Sequence, residues 1–369
     1  MPPRTENSEI DVSGRVPVAA DIFSGVGGLT HGLIRAGIQV TVGVDLDESC
    51  RYAYEHNNAP ARFLCKDVSQ LTVDELIALY PENSLRILAG CAPCRPFSTY
   101  TRNKEQHEDY ELLSSFAQLI EGAEATIVSM ENVPQLRKYP IYEEFLETLN
   151  RNGYFVWQKP VYCPSYGIPQ RRTRLVLLAS KLGPIELIPP THDEDALPTV
   201  RDAIGHLPPL EAGEVSPGDP LHRCHNLSAL NLRRVRATSE GGGWSEWPDE
   251  LKLECHKKPS GETYGSVYGR MKWDQPASTM TTQCCGLGNG RFGHPEQDRA
   301  ISLREAAMFQ SFPFDYEFFP ENEFPGIDSL ERHIGNAVPV KLGEVVGLSI
   351  SRHLETYRER QKEDPARAR

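Results

Sequence analysis

The segment that most restricts this chain is Val18–Phe23, a short run of apolar and β-forming residues. It leads straight into Ser24-Gly25-Val26-Gly27-Gly28, and then into a helical pattern through Leu29, Leu33 and Ile34 to Gly37. A strand that feeds a glycine turn and then a helix opens a βα unit, whose natural continuation is a parallel strand reached by a helical crossover. The pattern recurs. Val40–Val44, ending at Asp45, reads as the next strand, and Leu85–Ala89, Thr126–Met130 and Leu175–Ala179 read as further buried strands, with helical segments at Leu112–Ile120 and Tyr142–Leu149. The expected fold class is α/β: a Rossmann-like, doubly wound, mostly parallel sheet.

The alternation stops after Lys181. Pro184, Pro189, Pro190, Pro198, Pro208, Pro209, Pro217 and Pro220 interrupt any long element there, so a separate irregular module of short strands and loops is expected over 181–326. A length of 369 residues fits two domains: 18–180 and 181–326, with a flexible 1–17 before them. Helical pattern returns within 327–357 and gives way to a charged tail at 358–369. No apolar h-region precedes Pro17 and no uncharged apolar run approaches membrane-spanning length, so neither secretion by that route nor a membrane partner is expected. Nine cysteines, an odd number, suit a reducing compartment such as the cytoplasm.

A net charge of −12 argues at first sight against a polyanionic partner. Local distribution differs: His222–Thr238 carries Arg223, Arg233, Arg234 and Arg236 and no acid. Standing alone, that stretch reads as a solvated basic face.

Two places carry chemistry. At the first, Gly25, Gly27 and Gly28 let backbone approach a ligand at a helix N-terminus, and Asp45 ends the second strand where an acid can accept from ribose hydroxyls. Thr30 stands where a dinucleotide fingerprint would have its third glycine. The pattern therefore leaves open a nicotinamide cofactor, S-adenosylmethionine or a merely structural turn. Asp67, after a third β-like run, could meet an adenine amino group or simply cap a turn. At the second place, Cys91-Ala92-Pro93-Cys94-Arg95-Pro96-Phe97-Ser98 follows the strand Leu85–Ala89, at the sheet edge where ligands of open α/β sheets bind. A nucleophilic Cys94, a redox pair of Cys91 with Cys94, and a structural cysteine all compete there. Glu131, at the end of the next strand, adds a carboxylate to the same edge. Gln170, Arg172 and Arg174 share one face by period two, and two guanidinium groups there suit a base carbonyl and a phosphate. Redox chemistry needs neither the acid nor the arginines.

In motif order, these residues resemble the DNA (cytosine-5) methyltransferase family over nearly the whole chain. DIFSGVGGLTHGL resembles its cofactor loop, VGVDLDES its ribose-holding segment, CKDVSQL its adenine-contacting segment, GCAPCRPFS its nucleophile loop, MENVP its cytosine-holding glutamate and PQRRTR its arginine motif. RAISLREAAMFQSFP and HIGNAVPVKLGEVVG resemble the two closing motifs. The resemblance implies that 18–180 binds cofactor and catalyses, that 181–326 recognises the target, and that 327–357 returns to complete the catalytic domain beside the first glycine loop. It implies a catalytic set of Cys94, Glu131, Arg172 and Arg174, with Cys91 dispensable. It implies S-adenosylmethionine as cofactor, held by Asp21, Phe23, Gly25, Gly27, Gly28, Asp45, Leu46, Asp67, Val68, Pro93, Asn336 and Val338. The implied partner is double-stranded DNA, contacted through Arg95, Ser98, Gln170, Arg233, Arg234, Arg236, Thr281 and Thr282, with no metal. A monomer is expected, either solitary or beside a restriction endonuclease. Family members usually carry glutamine where this chain has Arg95, a departure on the DNA side of the loop.

Other readings stay beside this one. A tRNA-methylating branch of the family carries a Cys-Phe-Thr tripeptide, which this chain lacks. A catalytically silent DNA-binding module would not need Cys94, Glu131 and the two arginines together. His222, Cys224, His225, Cys255 and His256 match no standard zinc spacing. Gly241-Gly242-Gly243 with Trp244 and Trp247 reads either as a loop entering a groove or as packed indoles. Ser302-Leu303-Arg304-Glu305 is a capping box ahead of a helix.

Overall fold

The computed structural model describes residues 10–93, 108–258 and 264–363. In chain order the elements are β1 (Pro17–Ile22), α1 (Gly28–Arg35), β2 (Gln39–Asp45), α2 (Arg51–Asn57), β3 (Arg62–Cys65), α3 (Val73–Ala78), β4 (Leu85–Gly90), α4 (Glu108–Gly122), β5 (Ile127–Asn132), α5 (Pro140–Arg151), β6 (Phe155–Tyr162) and β7 (Thr173–Ser180). They continue with α6 (Val200–Ile204), β8 (Val215–Ser216), β9 (Asp219–Arg223), α7 (Ala229–Arg236), α8 (Leu303–Phe309), α9 (Ile327–Asn336) and α10 (Val340–Glu363).

The chain divides into two compact units, one of Met1–Val161, Thr173–Pro189 and Leu342–Arg369, the other of Tyr162–Arg172 and Pro190–Lys341. The division departs from the change in texture at Lys181, and hydrogen bonds explain why. Ile188 N–H donates to Ser349 Oγ of α10 at 2.9 Å, which keeps 181–189 with the first unit. Residues 162–172 bond within the second unit, through Arg171 N–H to Ala277 O at 2.7 Å and Thr191 N–H to Ser165 O at 2.9 Å.

The first unit is built on a seven-stranded sheet of order β3-β2-β1-β4-β5-β7-β6. β1 pairs in parallel with β2 and β4, β2 with β3, and β4 with β5, while β7 runs antiparallel to β5. The fold class expected from sequence is therefore present. Its central strands are buried along nearly their whole length, as runs of Val, Ile, Leu and Ala covered on both faces must be. The order reverses between β1 and β4, and the carboxyl ends of those two strands form the crevice in which open α/β sheets bind ligands. Helix α10 packs on α1: a Cβ on Gly343 would come within 2.8 Å of Leu29 O, and one on Gly347 within 2.5 Å of Ala36 Cβ. Only glycine permits that approach.

The second unit has little regular structure beyond short helices and the β8–β9 hairpin. Its irregular backbone leaves carbonyls that no ladder satisfies, and a buried and a half-buried arginine donate to them. Arg270 reaches Val235 O, Thr238 O, His294 O and Gln297 O, while Arg291 reaches Gly241 O and Gly242 O. The expected capping box is present at α8, where Ser302 Oγ accepts from Glu305 N–H at 3.1 Å and Glu305 Oε2 accepts from Ser302 N–H at 2.7 Å. Among the described residues no helix is long and apolar enough to cross a membrane.

Candidate active site

At the end of β1 the chain turns through Gly25 and Gly27, whose φ angles of +50° and +89° favour glycine, and Gly27 is the N-cap of α1. Asp45 braces this turn from β2: Oδ2 accepts from Gly25 N–H at 2.8 Å and Oδ1 from Asp47 N–H at 2.9 Å. A carboxylate has about four lone-pair positions, so capacity for ligand hydroxyls remains. Leu46 beside it is exposed.

Beneath the turn, Asp21 is fully buried, and its Oδ2 accepts from Thr30 Oγ1 at 2.7 Å, which in turn meets Tyr54 Oη at 3.0 Å. The threonine at the missing glycine position thus anchors an acid. Burial pushes the Asp21 carboxyl up to about 7 against the Thr30 hydrogen bond, and the nearby Asp45 charge adds to the rise. Asp21 Oδ1 and Ser24 Oγ are buried with no hydrogen-bond partner among the described residues. Such atoms ordinarily belong to a bound polar group or water. Ser24 was passed over in sequence, where its only signal is its place between strand and first glycine. Asp67 caps the turn at Val68–Gln70 through Oδ1, which accepts from Ser69 N–H at 2.9 Å, while Val68 is buried and Phe23 half-buried.

The second place is the β4–β5 edge. The parallel register ends at Gly90 opposite Met130, so Cys91 leaves β4 beside Glu131, which stays paired with Val176 of β7. Cys91 Sγ lies 2.9 Å from Glu131 Oε2 and donates to it. Cys91 N–H donates to Ile22 O at 3.2 Å, and Asn132 Nδ2 donates to Ala92 O at 3.1 Å, so the start of the loop is held from both neighbouring strands. Pro93, half-buried, is the last described residue before the gap. Cys94, Arg95 and Ser98 lie outside the described residues.

Glu131 is a strand residue, 5% exposed, and Arg174 approaches from β7 with Nε 2.9 Å from Oε1. That oxygen takes no directed hydrogen bond from a described residue, so the contact is one of charge, with the N–H aimed elsewhere. Arg174 is largely buried and also donates from Nη1 to Thr173 O at 3.0 Å. The site therefore holds a buried carboxylate with a thiol on one oxygen and, on the other, a guanidinium in charge contact but no directed hydrogen bond from a described residue.

Arg172 belongs to the second unit. It is buried there and donates from Nη1 to Met280 O at 2.9 Å. Asn336, exposed, and Val338, buried, also fall in that unit.

Two residues expected to contact DNA are buried in the second unit. Gln170 is fully buried: its Nε2 donates to Phe309 O and Gln310 Oε1 at 2.7 and 2.6 Å, and its Oε1 accepts from Met280 N–H at 3.0 Å. Arg234 is 5% exposed, donates to Leu251 O and Asn231 Oδ1, and stacks near Trp247 and Tyr268. Both side chains brace the second unit, because its loops need donors that its backbone ladders do not supply. Arg233 and Arg236 are exposed, with Arg236 Nε donating to Asp298 Oδ2 at 3.0 Å. Thr281 is half-buried and Thr282 exposed.

The indoles are packed. Trp244 stacks on His256 at 4.4 Å, and Trp247 donates to Thr238 Oγ1 at 2.8 Å. Three of the five residues weighed for zinc are engaged separately: His222 bonds Ser302 Oγ and Pro208 O, Cys224 donates to Glu211 O, and His256 lies under Trp244, while His225 sits beside Asp328 and Glu331.

A sheet of this order with its last pair reversed, a glycine turn after β1 and an acid ending β2 define the class I methyltransferase fold. The family model for C-5 cytosine-specific DNA methylases matches residues 18–352, and the chain belongs to that family. It is 52% identical over 350 residues to the Type II methylase M.HgiDII of Herpetosiphon aurantiacus, covering 94% of this chain and 98% of the relative. It is also 30% identical to the Type II methyltransferase M1.HphI of Haemophilus parahaemolyticus, covering 89% of this chain and 85% of the relative. Among solved structures, a candidate DNA modification methyltransferase encoded within an E. coli prophage superposes with a TM-score of 0.71 at 21% identity, covering 92% of this chain and 99% of that one. The Entamoeba histolytica methyltransferase EhMeth shares the fold with a TM-score of 0.63 at 15% identity, covering 92% and 99%. The protein is a DNA cytosine-5 methyltransferase.

Proposed function

We propose that this enzyme methylates C5 of one cytosine within a specific duplex DNA sequence, through a covalent bond between Cys94 and C6 of a base swung out of the helix. The observation that carries the reading is Glu131: a buried carboxylate at the β4–β5 edge, with one oxygen on a thiol and the other beside Arg174 without a directed hydrogen bond from a described residue. S-Adenosylmethionine fits the first crevice, where the turn at Gly25, Gly27 and Gly28, the acid Asp45 and the orphaned Asp21 Oδ1 and Ser24 Oγ offer both backbone approach and unmet polar atoms. When bound, it supplies the electrophilic methyl group.

The chain's own residues do the rest. Cytosine is closed to attack inside a duplex, and extrusion costs about a few kcal/mol. Cys94 thiolate adds to C6 while Glu131 holds or protonates N3, so the added electron pair makes C5 nucleophilic. Arg174, in charge contact with Glu131, balances the charge of that carboxylate and holds the cytosine O2. After methylation, Glu131 takes back any proton given to N3, water takes the C5 proton, and the electron pair of that C–H bond expels the Cys94 sulfur from C6 as thiolate, which restores the aromatic ring. The names of the relatives support a Type II modification role, in which methylation shields a site from a companion endonuclease.

The test is transfer of radiolabelled methyl groups to unmethylated genomic DNA and, separately, to tRNA, followed by nucleoside analysis. Label in 5-methylcytosine of DNA alone is expected; label in tRNA alone would refute the reading.

A further inference from the structure

We propose that Cys91 is a positioning residue for methyl transfer, holding Glu131 by Oε2 so that Oε1 meets the base. The inference rests on the role given above to Glu131. It reverses the expectation from sequence that Cys91 is dispensable.

Four observations meet at this thiol. The β4–β5 register delivers Cys91 and Glu131 side by side. The thiol lies 2.9 Å from Oε2, a distance at which S–H donates to a carboxylate. The other oxygen is in charge contact with Arg174 yet takes no directed hydrogen bond from a described residue. The backbone on either side of the thiol is tied down, Cys91 N–H to Ile22 O and Ala92 O to Asn132 Nδ2.

A strand-borne glutamate held only by a charge contact keeps rotational freedom about its last torsion, which is broad and roughly two-fold. A donor on one oxygen removes that freedom and tells the two oxygens apart. The site then presents one defined acceptor, and it does so before the base arrives. Misplacement by about 1 Å at such a group costs on the order of a hundredfold in rate, so a fixed carboxylate matters even though the thiol touches no substrate. A thiol suits the place because it is a weak donor: it orients the carboxylate without taking over its charge.

The experiment compares full-length Cys91→Ala, Cys91→Ser and Glu131→Gln with the parent, using unmethylated genomic DNA and labelled S-adenosylmethionine, and reads kcat and the KM for each substrate. Cys91→Ala is expected to lose about tenfold in kcat, the scale of one hydrogen bond to a charged group, with the KM for S-adenosylmethionine within about twofold of the parent. Cys91→Ser keeps a donor on the same atom path and is expected to recover most of kcat. Parent kcat in Cys91→Ala, or equal losses in the alanine and serine variants, would overturn the positioning role while leaving Glu131 as the catalytic acid. Parent turnover in Glu131→Gln would overturn the reading of the site and this inference with it.

Discussion

Each unit contains a buried glutamate facing an arginine, and the two pairs are built differently. In the second unit, Arg299 meets Glu305 through two parallel hydrogen bonds, Nη1 to Oε2 at 2.8 Å and Nη2 to Oε1 at 2.7 Å, and Ser302 N–H also donates to Oε2. Both oxygens are fully engaged. Burial pushes the Glu305 carboxyl up, but the Arg299 charge and its hydrogen bonds outweigh that and leave it at about 2. In the first unit, Glu131 has a thiol on one oxygen and an unaligned guanidinium beside the other. The same two residue types thus make a clamp in one place and, in the proposed function, a reactive group in the other. What separates them is hydrogen-bond saturation, since both acids are buried.

The comparison breaks first at Glu131. Glu131→Gln is expected to lower kcat by up to about 10⁴-fold, the upper range for a positioned acid–base group, while the melting temperature stays near the parent's. A large fall in stability with little change in turnover would make the pair a second clamp. At the other pair the effects should exchange. Arg299→Ala leaves a buried carboxylate without its counter-ion and is expected to cost about 3–5 kcal/mol in denaturant unfolding. The sign with pH is fixed by the lowered carboxyl: the stability this pair contributes is present above the ordinary range near 4.5 and fades as pH falls toward 2. The alanine variant should lose that acid-side slope.

A smaller effect tests whether unmet polar atoms mark the working unit. Asp21 is raised, so its contribution has the opposite sign: it is whole at low pH and is lost as pH rises from about 4 to about 7. Asp21→Asn should therefore stabilise the protein relative to the parent at pH 8 by on the order of a few kcal/mol, with the difference shrinking toward pH 5. Equal stability of the two proteins at both pH values would refute the buried charge.

The sheet was legible because its strands are short apolar runs separated by helical pattern, and the βα alternation carries its own topology. β1, β2, β4, β5 and β7 fall within two residues of the sequence reading. The glycine turn and Asp45 were legible for a similar local reason. Cys91 was not, because its partner lies forty residues away and only the β4–β5 register brings them together. The burial of Gln170 and Arg234 was hidden for the reverse reason. In a unit short of regular ladders, polar side chains that look like surface contacts are drawn inward to satisfy backbone carbonyls and amides, and sequence shows the charge but not the carbonyl awaiting it. Ser302–Glu305 was read correctly as a cap, yet its second task against Arg299 needed the fold.

The account turns on Cys94. The most direct measurement is methyl incorporation into C5 of cytosine in unmethylated genomic DNA by the parent and by Cys94→Ser, with S-adenosylmethionine binding followed on both proteins. The account predicts 5-methylcytosine from the parent, none above background from the serine variant, and the same cofactor affinity in both. Turnover by Cys94→Ser comparable to the parent's would contradict it.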